Sequence, residues 1–448
     1  MKASQKMKHA TTETDTEVIC GLPVTVKRSL TVNETYYTIH HPSGLDIYVI
    51  PKQLSTAYAL FATRYGSIDY KFRVSPDEPF TTVPDGIAHF LEHKMFVTED
   101  REDALVKMAR IGADSNAYTS FDITAYLFSC TDRFEEALDL LLDFVTHPYF
   151  PEDSVEHEKD IIGQEIEMGN DNPYQALSFG MLQSMYEKHR VRNEIAGSAA
   201  SIAEIHADLL YRCYHTFYNL HNMALCISGN VTLEQVIASA NRILKPQPAQ
   251  TIESFSEPEN ENVFRDRFLR KMQVSKPQFQ IGIKDVHISS NPAERMKKSA
   301  AFSILENLLF GNASPFFSRL YEAGLITGPF GCWSEHNRSF SFISFGNESD
   351  NPEAVYEQFV SYIDHLQNHG IDPSDFERCR RVLYAQLVKS FDSTEDIANN
   401  FLDYVFDDCD IFDFADVVAD ITTDDVEAVL CDVFRPGHYT LAVIAPLD

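Results

Sequence analysis

Residues Pro84 to Phe96 read Pro-Asp-Gly-Ile-Ala-His-Phe-Leu-Glu-His-Lys-Met-Phe, and within them His89, Glu92 and His93 form an H-x-x-E-H. At about 100° per residue of helix, Glu92 falls about 60° to one side of His89 and His93 about 40° to the other. All three side chains share one stripe. Two imidazoles one turn apart can grip a single metal ion, and a carboxylate beside them can take a proton from water. Zinc hydrolysis needs that set: nitrogen ligands, an open position for water, and a base. Ile87, Phe90, Leu91, Met95 and Phe96 surround the trio with apolar residues, which predicts a largely buried helix. Two imidazoles and a carboxylate are costly to bury unpartnered, and a metal removes that penalty.

Two histidines hold zinc poorly, so a third ligand, most simply a carboxylate, has to come from elsewhere. The stretch from Phe150 to Pro173 predicts a helix that starts after Pro151 and stops before Pro173. In it Glu158 and Glu165 lie two turns apart on one face, with Ile161 and Ile162 between them on that side. Acids on a stripe that also carries isoleucines are unusual, because such a stripe faces the core. Glu156 and Glu167 read as solvated charges. His40 and His41, before Pro42-Ser43-Gly44, read as a hairpin end; His147 reads as a loop residue, and His365 and His369 as helix surface.

The elements that must position these residues belong to a chain of 448, long enough for two to three domains with substantial cores. Hydrophobic residues make up 44% and aromatics 12%, which is a globular composition. Lysine and arginine total 37 against 67 acids, and the net charge of −30 repels phosphate backbones, so nucleic acid is excluded as a partner. No run of 18 apolar residues occurs, so no membrane span is expected. Met1 to Glu17 is polar without an apolar core, which reads as a loose tail and not a secretory signal. The eight cysteines lie far apart with no C-x-x-C pair, the pattern of reduced thiols in a cytoplasmic protein.

Lys245 to Asn262 carries Pro246, Pro248 and Pro258 among polar residues and marks a linker near the midpoint. The expected division is a tail over residues 1–20, a metal-bearing domain over 21–245, a linker over 246–262 and a related domain over 263–448. The halves resemble each other. Shifting by 214 residues lays His89-Phe-Leu-Glu-His-Lys-Met-Phe96 on Ser303-Ile-Leu-Glu-Asn-Leu-Leu-Phe310. Glu306 then matches Glu92, while Ser303 and Asn307 replace the histidines. Shifting by 221 lays Ile161-Ile162 on Val382-Leu383, Glu165 on Gln386 and Glu158 on Cys379. Joint loss of all three proposed ligands is what a shared metal site predicts.

The chain resembles the pitrilysin/insulinase-type (inverzincin) zinc peptidases, most closely their bacterial YmfH-type branch. The resemblance rests on His89-x-x-Glu92-His93, Glu158-x6-Glu165, Asp171-Asn-Pro173, Asn116-Ala-Tyr-Thr-Ser, and Tyr214-His-Thr-Phe-Tyr running on to Asn230. It extends over essentially the full chain. It implies an α+β fold of two homologous domains, each an antiparallel-rich sheet packed with helices, forming half of a clamshell. It further implies one zinc ion on His89, His93 and Glu165, with Glu92 as general base and Glu158 orienting a histidine from behind. Asn116 and Ala117 would lie on an edge strand that pairs with an extended peptide substrate.

One departure stands out. Active members carry an Arg and a Tyr in a segment shaped like R-E-x-x-G-L-x-Y, to hold the substrate backbone. Counting from Gly324, Leu320 and Thr327 occupy those places here, with Arg319 and Tyr321 out of phase. The resemblance therefore implies a zinc endopeptidase acting on peptides or unstructured segments in an enclosed chamber. Either nearby residues substitute for the missing Arg/Tyr pair, or a homologous partner subunit supplies it. The alternative is a non-catalytic peptide-binding or structural subunit of the same fold.

Overall fold

Two β-sheets organise the chain, and the second repeats the first. In a computed structural model, which describes residues 12–447, the first half contributes β1 (Thr12–Ile19), β2 (Leu22–Ser29), β3 (Glu34–His40), β4 (Asp46–Pro51), β5 (Ala57–Thr63), β6 (Asp114–Thr119), β7 (Thr124–Cys130) and β8 (Met223–Gly229). They lie in the order β1-β2-β3-β4-β8-β5-β7-β6. The second half contributes β9 (Arg267–Met272), β10 (Gln278–Asp285), β11 (Gly331–His336), β12 (Ser341–Glu348) and β13 (Tyr439–Pro446), in the order β9-β13-β10-β12-β11. In the first sheet β4 and β8 run parallel and the other neighbours antiparallel. In the second, β9 and β13 run parallel and the rest antiparallel. Five strands of each half thus correspond in order and direction, and β1 to β3 are an extension of the first sheet alone.

That extension corrects the expected tail. Thr12–Ile19 is not loose: it pairs along the whole of β2, from Ile19 opposite Leu22 to Thr12 opposite Ser29. The cause is turn chemistry. Cys20 and Gly21 take φ of 50° and 82°, a two-residue hairpin turn whose twist suits the flanking strands. Glycine adopts such a φ at no steric penalty. β1 is a mostly exposed edge of threonines and acids, so it carries no apolar alternation to betray it. The expected tail over residues 1–11 lies outside the described residues.

Seven helices matter for the site: α1 (Ile87–Met95), α2 (Glu152–Asp171) and α3 (Pro173–Met185), then α4 (Pro292–Phe310), α5 (Pro315–Glu322), α6 (Pro373–Ser390) and α7 (Thr394–Phe406). The central strand β5 is buried on both faces. Ala59 and Phe61 pack with first-half helices, whereas Tyr58, Leu60 and Ala62 join the core that holds Ile397, Phe401 and Leu402 of α7. Asn399 of α7 seals the contact: it accepts from the Tyr118 hydroxyl at 3.1 Å and donates to the Tyr58 hydroxyl at 3.3 Å. The exchange is reciprocal. Leu177, Met181 and Met185 of α3 pack against Phe342 of β12 and Ile444 of β13. Each half lends the helix after its long helix to the other's sheet, because a sheet apolar on both faces needs cover on both.

The segment from 246 to 262 connects the halves but is tied down. Glu253–Ser254 pairs with the short strand Lys71–Arg73. Glu259 accepts from the backbone N–H groups of Glu187, Lys188 and His189 and from Nζ of Lys284.

Candidate metal centre

The helix that carries the H-x-x-E-H is held at its entrance. Gly86 takes φ 91°, and a Cβ there would come within 2.4 Å of the Ala196 carbonyl oxygen, so only glycine fits. Asp85 just before it accepts from Nη1 of Arg190 at 3.1 Å and Nδ2 of Asn193 at 2.9 Å. Phe90, Leu91 and Met95 then sink into the core, which turns the opposite stripe toward α2. α2 begins after the extended Pro151 and ends at Asn172, whose side chain caps α3 by accepting from the Tyr174 N–H. Both proline-defined limits agree with the sequence.

The two helices bring one atom each from His89, His93 and Glu165 within 4.8 Å of one another, the one such candidate metal cluster among the described residues. Nε2 of His89 lies 3.6 Å from Oε1 of Glu165, and Nε2 of His93 lies 3.7 Å from Oε2. Tetrahedral zinc with bonds of about 2.0–2.2 Å separates its ligand atoms by roughly 3.3–3.6 Å. Two imidazoles and a carboxylate form a donor set suited to zinc, and their spacing fits the ion. Glu158 stands behind them, its Oε1 3.2 Å from Nδ1 of His93. A proton held on Nδ1 leaves Nε2 with a free lone pair, as a metal ligand requires. Nδ1 of His89 is buried without a hydrogen-bond partner among the described residues.

Burial drives the His89 imidazole down to about 4, with the neighbouring His93 adding to the effect, so the ring is neutral at pH 7. Burial also pulls His93 down, but the Glu158 hydrogen bond and the charges of Glu92, Glu158 and Glu165 outweigh it and leave its pKa raised. For Glu158, burial is opposed and exceeded by His93 and Lys94, which hold the carboxyl below its usual range. Glu92 is 7% exposed, and burial raises its pKa. The Thr119 hydroxyl donates to its Oε2 at 2.7 Å, which leaves Oε1 for another partner.

The insulinase (peptidase family M16) model matches residues 81–199, which hold α1, α2 and the whole cluster. The model for the peptidase M16 inactive domain matches residues 204–383. A protein of Bacillus subtilis (strain 168) described as the uncharacterized zinc protease YmfH is 39% identical over 421 residues, 93% of this chain and 97% of that protein. The chain belongs to the M16 peptidase family. Among solved structures, an M16-like peptidase from Alicyclobacillus acidocaldarius superposes with a TM-score of 0.87 at 30% identity, covering 98% of this chain and 99% of that one. Pitrilysin shares the fold at a TM-score of 0.71 and 18% identity; the match covers 97% of this chain and 47% of pitrilysin.

Asn116 and Ala117 lie on β6, which is an edge strand of the first sheet among the described residues. Asn116 is exposed, and its Oδ1 accepts from the Ala117 N–H at 2.9 Å. Two residues on, Thr119 meets Glu92, so the strand ends against the cluster. Ile162 is fully buried beside the acids, but Ile161 is 44% exposed, so the apolar stripe of α2 is narrower than expected. Its counterparts behave alike: Leu383 is 7% exposed and Val382 37%. A groove of about 240 Å³ lined by Glu165, Asn172, Gln175 and Glu194 opens beside the cluster. A larger cavity, about 580 Å³, lies between the halves and contains none of the expected site residues.

Sequence reasoning missed Thr119, Lys94 and Ser154. Thr119 was within reach, since strand alternation puts it on the same face as Ala117. Lys94 and Ser154 carry no local signal. Nζ of Lys94 reaches Glu158 only because α1 and α2 pack together.

In the second half, Ser303 and Asn307 spend their polar groups on their own helix: Ser303 Oγ donates to the Ser299 carbonyl and Asn307 Nδ2 to the Ser303 carbonyl. Gln386 is exposed on α6. Leu320, at the position where the resemblance implies a clamping Arg, is fully buried in α5, and Thr327, at that of the implied Tyr, is exposed. The Arg319 guanidinium lies 5.8 Å from the Tyr362 ring centroid and Tyr321 stacks on Phe317 at 5.7 Å.

Proposed function

We propose that this chain is a zinc-dependent endopeptidase that hydrolyses peptides or unstructured segments. One observation carries the reading: two imidazole Nε2 atoms and a Glu165 oxygen converge beside a buried Glu92 on the same helix. His89, His93 and Glu165 would hold one zinc ion, which when bound polarises a carbonyl and makes water a stronger acid. Glu92 takes the proton of the attacking water and passes it to the leaving amine. Thr119 fixes one oxygen of Glu92, so the other has a defined direction. Glu158 keeps His93 turned for binding. An extended peptide would add to the edge strand β6 at Asn116 and Ala117, where backbone pairing gives affinity with little sequence demand.

The missing Arg and Tyr suggest that this is the metal-bearing subunit of a pair. The chain matches slightly under half of pitrilysin, which leaves room there for a second unit of this size. A homologous partner would supply the clamp and close the chamber. With β1 included, the proposed first domain runs from the start of the described residues to 245 and the second over 263–448, joined by 246–262 and exchanging α3 and α7. All eight cysteines are free, which suits a cytoplasmic setting.

Zinc analysis and peptide cleavage by wild type and Glu92→Gln test the reading. Stoichiometric zinc in both, with cleavage reduced by about 10²–10⁴-fold in the variant, is expected. Wild type without zinc removes the enzyme reading in favour of a non-catalytic subunit. Equal cleavage by both proteins refutes the role of Glu92. Full activity of the isolated chain argues against the partner.

A further inference from the structure

Lys94 follows His93 directly, so its side chain leaves α1 about 100° away from the metal-facing stripe. It has no exposed side-chain surface, and Phe90, Leu91 and Met95 around it are buried apolar residues. An apolar side chain would fill that position without penalty, whereas a sealed ammonium destabilises the fold unless its donors are met. They are met on α2. Nζ lies 2.6 Å from Oγ of Ser154, 3.3 Å from the Ser154 carbonyl oxygen and 3.1 Å from Oε2 of Glu158. Glu158 is therefore shared between two partners: Oε2 takes the ammonium, and Oε1 lies 3.2 Å from Nδ1 of His93.

The second half shows that packing such a helix pair does not require these charges. The positions matching Lys94 and Glu158 are Leu308 and Cys379, 4% and 0% exposed. The buried ion pair is present where the histidines are present and replaced by apolar residues where they are not.

We propose that Lys94 is a positioning residue for the metal site. By holding Oε2 of Glu158, it fixes the carboxylate so that Oε1 takes the Nδ1 proton of His93. The bare Nε2 is then left facing Glu165 and His89. Without the ammonium, the carboxylate is free to turn toward solvent, and the His93 ring loses both its orientation and its preferred tautomer. The inference rests on the reading of His89, His93 and Glu165 as a zinc site.

The test compares full-length wild type, Lys94→Met and Ser154→Ala by zinc-affinity measurement against a competing chelator. It also reads the tautomer of the neutral His93 ring by nitrogen-15 NMR in metal-free protein. Lys94→Met should bind zinc about 10–100-fold more weakly, the loss typical of an outer partner of a ligand. Its His93 ring should lose the Nδ1–H preference, which a merely structural lysine would leave untouched. A folded Lys94→Met with wild-type affinity and tautomer overturns the proposal. Should that variant not fold, Ser154→Ala decides, because it removes the shortest of the ammonium's three contacts and loosens its hold on Glu158 without leaving a charge unpaired. A several-fold weaker zinc affinity at unchanged stability supports the proposal, and wild-type affinity overturns it. Absence of zinc from wild type overturns the site reading and this inference together, whereas zinc in wild type with unaltered variants overturns this inference alone.

Discussion

The two halves share a frame and differ in what hangs on it. Both sheets set five strands in the same order with the same parallel pair, and both place a long helix followed by one lent to the other half. Both also aim a carboxylate from the helix beside the sheet at a hydroxyl of the edge strand. Thr119 on β6 meets Glu92 at 2.7 Å, and Ser334 on β11 approaches Glu306 at 3.5 Å. Around Glu92 stand His89, His93, Glu165, Glu158 and Lys94. At the matching places around Glu306 stand Ser303, Asn307, Gln386, Cys379 and Leu308. The frame is therefore independent of the candidate metal cluster, which is a set of side chains present in one copy of it.

The sharpest break in that comparison is ligand removal. His93→Ala should weaken zinc binding by more than the roughly 10–100-fold that loss of an outer partner brings. Asn307→Ala, at the matching place, should leave zinc content unchanged; a fall in zinc there would mean that the second half takes part in binding. Chelator competition on the two purified variants reads the difference.

A second test asks whether the clamp can be restored in place. Leu320 is fully buried in the core of α5. Leu320→Arg should destabilise the protein by on the order of 3–5 kcal/mol, because it would seal a guanidinium in a hydrophobic core. Denaturant unfolding checks this, and a stable variant that gains peptidase activity would remove the need for a partner subunit.

The smallest effect concerns Glu306. Burial pushes its carboxyl up from 4.5 to about 7. Between those values the native state holds its proton more tightly than the unfolded chain does, so stability falls as pH rises through that window. Glu306→Gln cannot ionise and escapes the loss. Its melting temperature should exceed wild type by about 2 °C at pH 8 and equal it at pH 4. A difference that does not change with pH would show that burial is not what perturbs Glu306.

Much of the site was legible because its signals are local. The i, i+4 histidines, the proline limits of α2 and the seven-residue spacing of Glu158 and Glu165 are facts of helix period, and the structure reproduces those limits. The matching of Ile161-Ile162 to Val382-Leu383 extends even to which member of each pair is buried. What escaped lacks a local signal. The hairpin at Cys20-Gly21 turns on two positive φ values, and β1 is too polar to announce a strand.

The amino-acid sequence by itself determined which residues can bind a metal, which helix faces they share and which copy lacks them, because those follow from residue type and period. Only the tertiary structure decided that Glu165 meets both histidines, that Thr119 holds Glu92, and that Lys94 lies sealed against Glu158. It also decided that Leu320 is core and that α3 and α7 change sides. These contacts join residues far apart in the chain, and whether they form depends on which apolar faces need cover, which no local pattern records.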